Sequence, residues 1–600
     1  MMHADGQVKE GHATRLRWPR ASGQTIAMVA VVCLGATLRF WDLSRKPLWV
    51  DELAWLDWST RPTIAHLFRG DIFPHSPFFA LLGWPFRHWM TNDTAPRCIP
   101  ALLGTATIPL LFALGRDMFN ARVGVMAAAA LAVVPIHVMY SRQVEPYTLA
   151  VFLTTAYAWL LWRMRDSTSL KGWGCVALSA AGAVYAHMFA VFAVALMAAA
   201  ISIMALRRRE QIHCLIPLCF ALGTAALLYV PWLIAGPHLA SSWSSEIPRD
   251  VFRQTYSASS PLKVVIVSFL SSCWRGDEYV FSLITPPFLL GLAVLGLSAF
   301  LVLRSRSHAL LFVACWICSM SCVAATVYAW GYLLHGRYMM SAVPASCLLI
   351  ALGVENLSLL PSKAQICRYV GLVVATAAVS SLALLSFGAT MLVCFGVPYQ
   401  DTRGMVRVLD EVVAPNDAIV SSIWNSEMVF RHYKSPLLDR LICQPPESSV
   451  DKLAGQLEAG RRVWYLYWWD LPDEVSEFIK STQLKSIDLC GGGWGDHIVT
   501  IWPPGDEVSD DTVIHTARTV LLTAIKHSER TPEVMLLRRA DLARNHPRLA
   551  TIVPENKLEE NDVSLAALSR LAPTDYLLRK TLEDARIGAQ QQSSSNRREP

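Results

Sequence analysis

The chain has 600 residues, of which 53% are hydrophobic and only 17% are charged, and it contains 21 Trp. Because a soluble globular protein carries about 25% charged residues, this composition excludes an ordinary soluble protein and indicates a chain that crosses a membrane several times. The net charge is only +6, and the basic residues lie in short clusters between apolar runs. No nucleic-acid partner is therefore predicted.

Apolar runs long enough to cross a bilayer recur along the first two thirds of the sequence. A transmembrane helix needs roughly 20 apolar residues, and on this basis we expect about eleven spans. The expected spans lie near residues 24–41, 97–115, 123–140, 146–163, 172–187, 188–206, 214–234, 281–303, 309–330, 338–357 and 369–395. The run around His187 is either one long helix or two helices joined by a tight turn.

The basic clusters fall between alternate spans, all on one face. These clusters are Arg15/Arg17/Arg20, Arg116/Arg122, Arg163/Arg165/Lys171, Arg207/Arg208/Arg209, Arg304/Arg306 and Lys363/Arg368. By the positive-inside rule this face is cytoplasmic. We therefore expect a multi-pass protein of the inner (plasma) membrane, whose long loop 42–96 and whose residues after about 396 are extracytoplasmic.

Composition divides the chain into four parts. A cytoplasmic segment, 1–23, leads into a transmembrane unit, 24–395. Residues 396–507 contain strand-like runs such as "RRVWYLYWW" and the helical pattern "TRGMVRVLDEVV", which predict an extracytoplasmic α/β domain. Residues 508–600 are expected to form a charged helical extension with a disordered tail. The predicted fold class is an α-helical polytopic membrane protein with a C-terminal soluble α/β domain.

The first outer loop combines carboxylates with aromatic residues. "LWVDELAWLDW" places Asp51 and Glu52 among tryptophans just beyond the first span. Partial burial there favours a raised carboxyl pKa and a proton-accepting role, and the alternative is a solvated charge at the membrane boundary. The same loop contains "HSPFFALLGWPFRHWM", which is amphipathic, too short to span, and expected to lie in the interface.

Together these segments resemble the GT-C class of membrane glycosyltransferases. "RFWDLSRKPLWVDELAWL" is similar to the first-loop signature of that class, and "GRYMMSAVPAS" resembles its late Arg-Tyr segment. The region between them is similar to the bacterial branch related to protein mannosyltransferases, and most to its lipopolysaccharide and lipid A sugar transferases. Residues that fit the family pattern are His75, Pro77, Phe79, Leu81, Leu82, Arg97, Pro100, Gly115, Arg116, Ser141 and Tyr147.

The resemblance implies a GT-C-like fold and a sugar transfer at the membrane edge. The donor would be a polyprenyl-phosphate sugar, surrounded by membrane lipid, and the acceptor a lipid, a polysaccharide or a protein. Asp51 would act as general base, and Glu52 would orient the acceptor or support Asp51. Since phosphate is already a weak base, one carboxylate suffices. The reaction would invert the anomeric centre.

Polar residues on the outer face are expected to bind the substrates, because a donor phosphate needs cationic or N–H donors. Arg337 is the first candidate, with Tyr338 beside it, and a snorkelling anchor is the alternative role for Arg337. The other expected substrate-binding residues are His75, Arg142, Glu145 and His187. His187 also fits a packing role. In "SRQVEPY" the residue order departs from the Gln-Glu-x-Arg order of many relatives.

No cofactor and no metal is predicted. Residues of ligand type do occur in the first outer loop, namely Asp51, Glu52, Asp71 and His75. They show no strict metal-ligand spacing, and no phosphate-binding or dinucleotide-binding motif is present. The main alternative function is a polytopic transporter or lipid flippase of the cell envelope. The charged residues that could carry chemistry lie in the outer loops and no two-fold repeat is visible, so the enzyme is favoured.

Overall fold

The computed structural model describes the chain in several stretches. They are residues 23–68, 76–240, 307–330, 336–358, 390, 402–423, 426–443, 446–468, 471–488 and 496–504, with short pieces between 508 and 523. The predicted spans 281–303 and 369–395 lie almost entirely outside the described residues, as does the extension expected from 508 to 600.

The N-terminal part is a succession of helices with short connections. They are α1 (Gly23–Phe40), α2 (Val50–Ser59), α3 (Ile64–Leu67), α4 (Phe78–Gly83), α5 (Cys98–Met118), α6 (Ala121–Val133), α7 (Pro135–Tyr140), α8 (Tyr147–Met164), α9 (Leu170–Ala186), α10 (Ala190–Arg207), α11 (Leu215–Ala240), α12 (Ser307–Trp330) and α13 (Val343–Ser358). Short 3-10 helices cover Trp84–Trp89, Arg209–Cys214 and Gly336–Ala342.

Six segments within the described residues are long and apolar enough to cross a membrane. They are Gly23–Phe40, Cys98–Met118, Ala190–Arg207, Ile212–Ile234, His308–Val327 and Gly336–Glu355. An 18-residue helix rises about 27 Å, close to the thickness of the hydrocarbon core. The protein is therefore a multi-pass membrane protein, and the helical polytopic fold class is confirmed, whereas the number of eleven spans stays a prediction.

One predicted span differs in form from the expectation, and one alternative left open by the sequence is decided. The run 123–140 is broken into α6 and α7, because Val134 is extended and Pro135 begins a new helix. The run around His187 is two helices, α9 and α10, since His187 takes an extended conformation at the end of α9. The second of the two alternatives left open by the sequence is thus the one adopted.

Arg39 satisfies the backbone at the break between α6 and α7. Pro135 has no N–H to give to the carbonyl of Leu131, and the buried Arg39 guanidinium donates to that carbonyl at 3.1 Å and to the carbonyl of Ala132 at 3.0 Å. Its Nη2 also lies 2.7 Å from Nδ1 of His137. A cation inside the helical unit is thereby held by carbonyl oxygens.

A five-stranded sheet forms the centre of the C-terminal part. Its strands are β1 (Ala418–Ser421), β2 (Leu441–Cys443), β3 (Val463–Trp468), β4 (Ser486–Asp488) and β5 (Asp496–Ile501), in the order β2-β1-β3-β5-β4. Strand β1 pairs in parallel with β2 and β3, and β5 pairs antiparallel with β3 and β4. The helices are α14 (Thr402–Val412), α15 (Ser426–His432), α16 (Pro446–Glu458) and α17 (Asp473–Ser481). The α/β character predicted for this part is confirmed.

The two faces of the sheet are buried against different neighbours. In β3, Val463 and Tyr465 face one core together with Leu453 of α16, whereas Trp464 and Leu466 face the other. This alternation follows the two-residue period of a strand. The second core is continuous with α2, because it contains Leu53. One apolar core therefore joins the C-terminal domain to the first outer loop.

Candidate active site

Helix α2 carries both acidic residues of the first outer loop in its first turn. The Asp51 side chain is 30% exposed, whereas Glu52 is buried. A Glu52 oxygen accepts a hydrogen bond from the backbone N of Trp49 at 3.3 Å, which is the return bond of a helix capping box. The adjacent carboxylates thus have different surroundings, Asp51 accessible and Glu52 enclosed.

Glu52 forms a buried two-point ion pair with Arg97 at the head of α5. Nε of Arg97 lies 2.8 Å from one carboxylate oxygen and Nη2 lies 2.5 Å from the other. The backbone N–H of Val144 also donates to Glu52, at 2.8 Å. Arg97 further donates to the carbonyls of three residues of the first loop, Leu43, Lys46 and Pro47. This network ties α2, α5 and the turn before α8 together.

Arg337 approaches Asp51 from a late part of the chain. Its Nη1 lies 3.3 Å from Oδ2 of Asp51, across 286 positions of sequence, and 4.0 Å from Oε2 of Glu145. Three aromatic rings surround its guanidinium carbon within 5.9 Å of their centroids, those of Trp49, Tyr147 and Tyr338. The cation therefore lies between two carboxyl groups, with three aromatic rings around it.

Glu145 is buried, like Glu52, with 3% of its side chain exposed against 30% for Asp51. Burial raises the pKa of Glu145 well above its ordinary value; nearby Arg337 and the indole N–H of Trp49 act against this shift, and the charges of Asp51 and Glu52 add to it. Its Oε1 and the Nε of Arg337 make no hydrogen bond within the described residues. Both atoms are consequently available to a bound molecule.

His187 and Tyr338, both predicted to bind substrate, lie beside Arg337. The ring of His187 is 5.9 Å from that of Tyr338 and 5.2 Å from that of Tyr147, and Phe189 packs against both His187 and Tyr338. The break between α9 and α10 puts His187 there. Its ring contacts fit the packing role that the sequence left open, at the edge of the group formed by Asp51, Arg337 and Glu145.

Arg142 lies in the same turn as Glu145, between α7 and α8, but its side chain contacts the end of α1. Its Nη1 donates to the carbonyls of Leu38 at 3.1 Å and Trp41 at 2.7 Å, and its Nη2 donates to that of Asp42 at 3.1 Å. A helix leaves its last carbonyls without partners, so this arginine caps the end of α1. The predicted role of Arg142 in substrate binding stays a prediction.

His75 and Asp71 fall outside the described residues. Over the stretches of chain that the structure describes, no three His, Cys, Asp or Glu residues come together as metal ligands. The structure brings together Asp51, Glu145, His187, Arg337 and Tyr338, with Glu52 behind Asp51.

Sequence reasoning missed the partner of Glu52. Arg97 fits the family pattern, but nothing in the sequence around it indicates a carboxylate 45 positions earlier. The available signal was an arginine at the start of an apolar span, where an unpaired charge is costly. The aromatic neighbours of Arg337 were also missed, since Trp49 and Tyr147 belong to distant segments.

Residues 75–234 match the family model described as dolichyl-phosphate-mannose-protein mannosyltransferase. The resemblance to GT-C class membrane glycosyltransferases is confirmed. The matched segment contains Arg97, Glu145 and His187, and it ends before Arg337 and begins after Asp51. Among curated protein sequences, none matches this chain.

Solved structures similar to this chain are membrane glycosyltransferases of low sequence identity. ArnT from Cupriavidus metallidurans in the apo state is 13% identical, with a TM-score of 0.49, over 80% of this chain and 98% of that one. The same protein bound to undecaprenyl phosphate is 14% identical, with a TM-score of 0.47, over 79% and 97% of the two chains. The Archaeoglobus fulgidus oligosaccharyltransferase is 14% identical, with a TM-score of 0.46, over 73% of this chain and 67% of that one.

Proposed function

We propose that this glycosyltransferase moves a sugar from a polyprenyl-phosphate donor to an acceptor hydroxyl on the extracytoplasmic side of the inner membrane. The observation that carries the proposal is the 3.3 Å pair of Asp51 and Arg337, two residues that belong to opposite ends of the helical unit. The family match supports it, because the described family transfers mannose from a lipid-linked phosphate. We also propose that 24–395 form the catalytic unit and that 396–507 form an extracytoplasmic domain.

Arg337 is proposed to bind the donor phosphate. A guanidinium offers several N–H donors in a plane that suits phosphate oxygens, and its Nε makes no hydrogen bond within the described residues. In the structure Asp51 pairs with this guanidinium. A phosphate that displaces Asp51 from Arg337 leaves that carboxylate without its cation, and a carboxylate without a neighbouring cation is a stronger base.

Asp51 is proposed to be the general base. It takes the proton of the acceptor hydroxyl while the acceptor oxygen bonds to the anomeric carbon from the face opposite the phosphate. The bond from that carbon to the phosphate oxygen breaks, and polyprenyl phosphate leaves with the electron pair. The product carries the inverted configuration, and the proton remains on Asp51 until it passes to water.

The other two carboxyls receive separate roles. Glu52 is proposed to support Asp51, because Arg97 and Val144 already occupy its oxygens. Glu145 is proposed to be a protonated carboxyl that donates a hydrogen bond to the donor, because burial raises its pKa and its Oε1 has no bond within the described residues. Tyr338 and His187 are proposed to line the donor site, and His75 and Arg142 stay predicted substrate contacts.

The test is a transfer assay on purified protein with a panel of polyprenyl-phosphate sugars, scoring sugar transfer and donor hydrolysis. We expect turnover of at least one donor, and a loss of at least about 100-fold in Asp51→Asn, the lower range for a general base. Asp57→Asn is the matched control, since Asp57 lies on the same helix and pairs with Arg431 at 3.4 Å. Near-normal turnover by Asp51→Asn would refute the assignment of the base.

A further inference from the structure

The backbone of Leu48 is held by two side chains of the C-terminal domain. The Leu48 N–H donates to Oη of Tyr433 at 3.2 Å, and its carbonyl accepts from Oγ1 of Thr402 at 2.6 Å. The two hydroxyl groups lie 3.5 Å from each other. Both peptide groups of one loop residue are thus fixed by residues more than 350 positions later in the chain.

Leu48 lies three residues before Asp51, and hydrogen bonds hold the short segment that joins them. Trp49 is the cap of α2, and its N–H is bonded to Glu52. The carbonyl of Pro47 is bonded to Arg97. The segment before α2 is irregular and cannot satisfy its own peptide groups, so outside partners determine where the helix starts. Thr402 and Tyr433 are two of those partners.

A second set of contacts anchors the same domain beside the loop. The buried carboxylate of Asp93 accepts from Nη1 of Arg403 at 3.1 Å and lies 2.8 Å from Nε2 of His432. Arg403 also donates to the carbonyl of Ser44 at 3.1 Å. Arg403, which follows Thr402, and His432, which precedes Tyr433, are therefore also bound to the outer loop. Their contacts limit the movement of both hydroxyl groups.

We propose that Thr402 and Tyr433 are positioning residues through which the C-terminal domain sets the place of Asp51 opposite Arg337. They touch neither substrate nor Asp51; they act on the backbone of Leu48 and through it on the first turn of α2. The inference rests on the proposed function for its catalytic consequence, but the hold on Leu48 is a separate structural claim. Since a misplacement of about 1 Å costs a reacting pair about 100-fold, such a hold matters for turnover.

Hydrogen exchange of the Leu48 amide tests the hold without any substrate. In the full-length protein in detergent, Thr402→Val and Tyr433→Phe each remove one hydroxyl group and keep the side-chain shape. We expect the amide to exchange at least about tenfold faster in both variants, because its protection depends on a closed loop. Thr402→Ser, which keeps the hydroxyl group, should leave the Leu48 amide exchanging at the wild-type rate.

Arg431→Ala is the matched control for general loosening between the domains. It breaks the 3.4 Å pair of Arg431 with Asp57, which joins α15 to α2 but leaves both contacts to Leu48 in place. Its Leu48 amide should exchange as in the wild-type protein. Wild-type exchange in Thr402→Val and Tyr433→Phe, or equally fast exchange in Arg431→Ala, would overturn the inference.

Kinetics then test the consequence for Asp51, using the polyprenyl-phosphate sugar with the highest turnover by the wild-type protein. Tyr433→Phe should lower kcat about tenfold and leave KM for the donor within about twofold, because the change misplaces the base and not the phosphate site. An unchanged kcat together with fast exchange would refute the positioning role. If the wild-type protein turned over no such donor, the proposed function would fail, whereas the exchange result would still decide whether the domain holds Leu48.

Discussion

At the scale of single residues, adjacent carboxyls differ because their surroundings differ. Glu52 is enclosed by Arg97 and a backbone N–H, whereas Asp51, one position earlier, is partly exposed and meets Arg337. Glu145 is buried close to the same arginine. Three carboxyls around two guanidinium groups thus have three different surroundings, which is the basis for the separate roles that we propose for them.

The pKa of Glu145 predicts a pH-dependent gain in stability for Glu145→Gln. Because the folded-state pKa is raised, folding favours the protonated form, and wild-type stability falls as pH rises from the ordinary glutamate value of about 4.3 through the raised value. Glutamine mimics the protonated form and lacks this fall. The melting temperature of Glu145→Gln should exceed that of the wild-type protein at pH 8 and approach it near pH 4.

The measurement is thermal unfolding in detergent at intervals from pH 4 to pH 8. Asp439→Asn is a suitable reference, as it replaces a carboxyl in the first turn of a short 3-10 helix of the C-terminal domain in which no residue is buried. A lower melting temperature of Glu145→Gln at pH 8 would show that the ion pair with Arg337 outweighs burial, and the neutral-carboxyl role would be wrong.

The buried pair of Glu52 and Arg97 predicts a large loss of stability when one partner is removed. Glu52→Gln leaves the guanidinium of Arg97, which is 4% exposed, without its counter-charge. Such a change costs about 3–5 kcal/mol in buried pairs. Arg116→Ala breaks the exposed pair of Arg116 with Asp117 and should change stability by less than about 1 kcal/mol. Thermal unfolding compares the two, and equal effects would contradict the prediction.

At the scale of helices, close approach depends on small residues. A Cβ built on Gly124 would lie 2.7 Å from the carbonyl oxygen of Phe112, and one on Gly115 would lie 2.8 Å from the Cα of Gly124. Helices α5 and α6 therefore touch backbone to backbone. In a membrane an apolar side chain has apolar neighbours whether it contacts lipid or another helix, so the hydrophobic effect does not drive helices together. Close packing is therefore a main source of helix association.

We expect Gly124→Ala to lower the melting temperature by several degrees, because the backbone of α5 must move to admit the methyl group. Gly174→Ala on α9 is the control, since no atom lies within 4 Å of its added Cβ. That change should leave the melting temperature unchanged or raise it slightly, as alanine favours a helix over glycine. A loss in Gly174→Ala as large as that in Gly124→Ala would show that helix packing is not the cause.

Some of these elements could be predicted from the sequence and others could not. The apolar runs that became α1, α5 and α10 are set by local hydrophobicity, which a sequence shows directly. The break before Pro135 also had a local signal, since proline disrupts a helix, although the run 123–140 was expected to continue. Such features depend on neighbours within one or two turns.

At the scale of the whole molecule, the site is assembled from three distant segments. The orientation expected from the basic clusters puts the loop of Asp51 and the turn of Arg337 on one face, but it gives no distance between them. The contact of 3.3 Å depends on how the helices pack, and the hold of Tyr433 on Leu48 depends on backbone groups, which leave no pattern in a sequence. Tertiary contacts of this kind follow only from the assembled fold.

One apolar core continues from the outer loop into the sheet. The packing of the outer loop therefore depends on the C-terminal domain. We expect removal of the C-terminal domain to expose this core and to release Leu48, and so to lower both the stability and the turnover of the protein.

Binding of undecaprenyl phosphate without a sugar is the direct test of Arg337 as the phosphate-binding residue and Asp51 as its partner, since it needs neither the right sugar nor the acceptor. If the lipid phosphate replaces Asp51 as the partner of Arg337, Asp51→Asn removes a competitor and should bind the lipid more tightly, by a factor of a few up to about ten. Arg337→Gln should bind it at least about tenfold more weakly. Opposite shifts in Kd for the two variants are the predicted result. Weaker binding by Asp51→Asn, or unchanged binding by Arg337→Gln, would contradict the account.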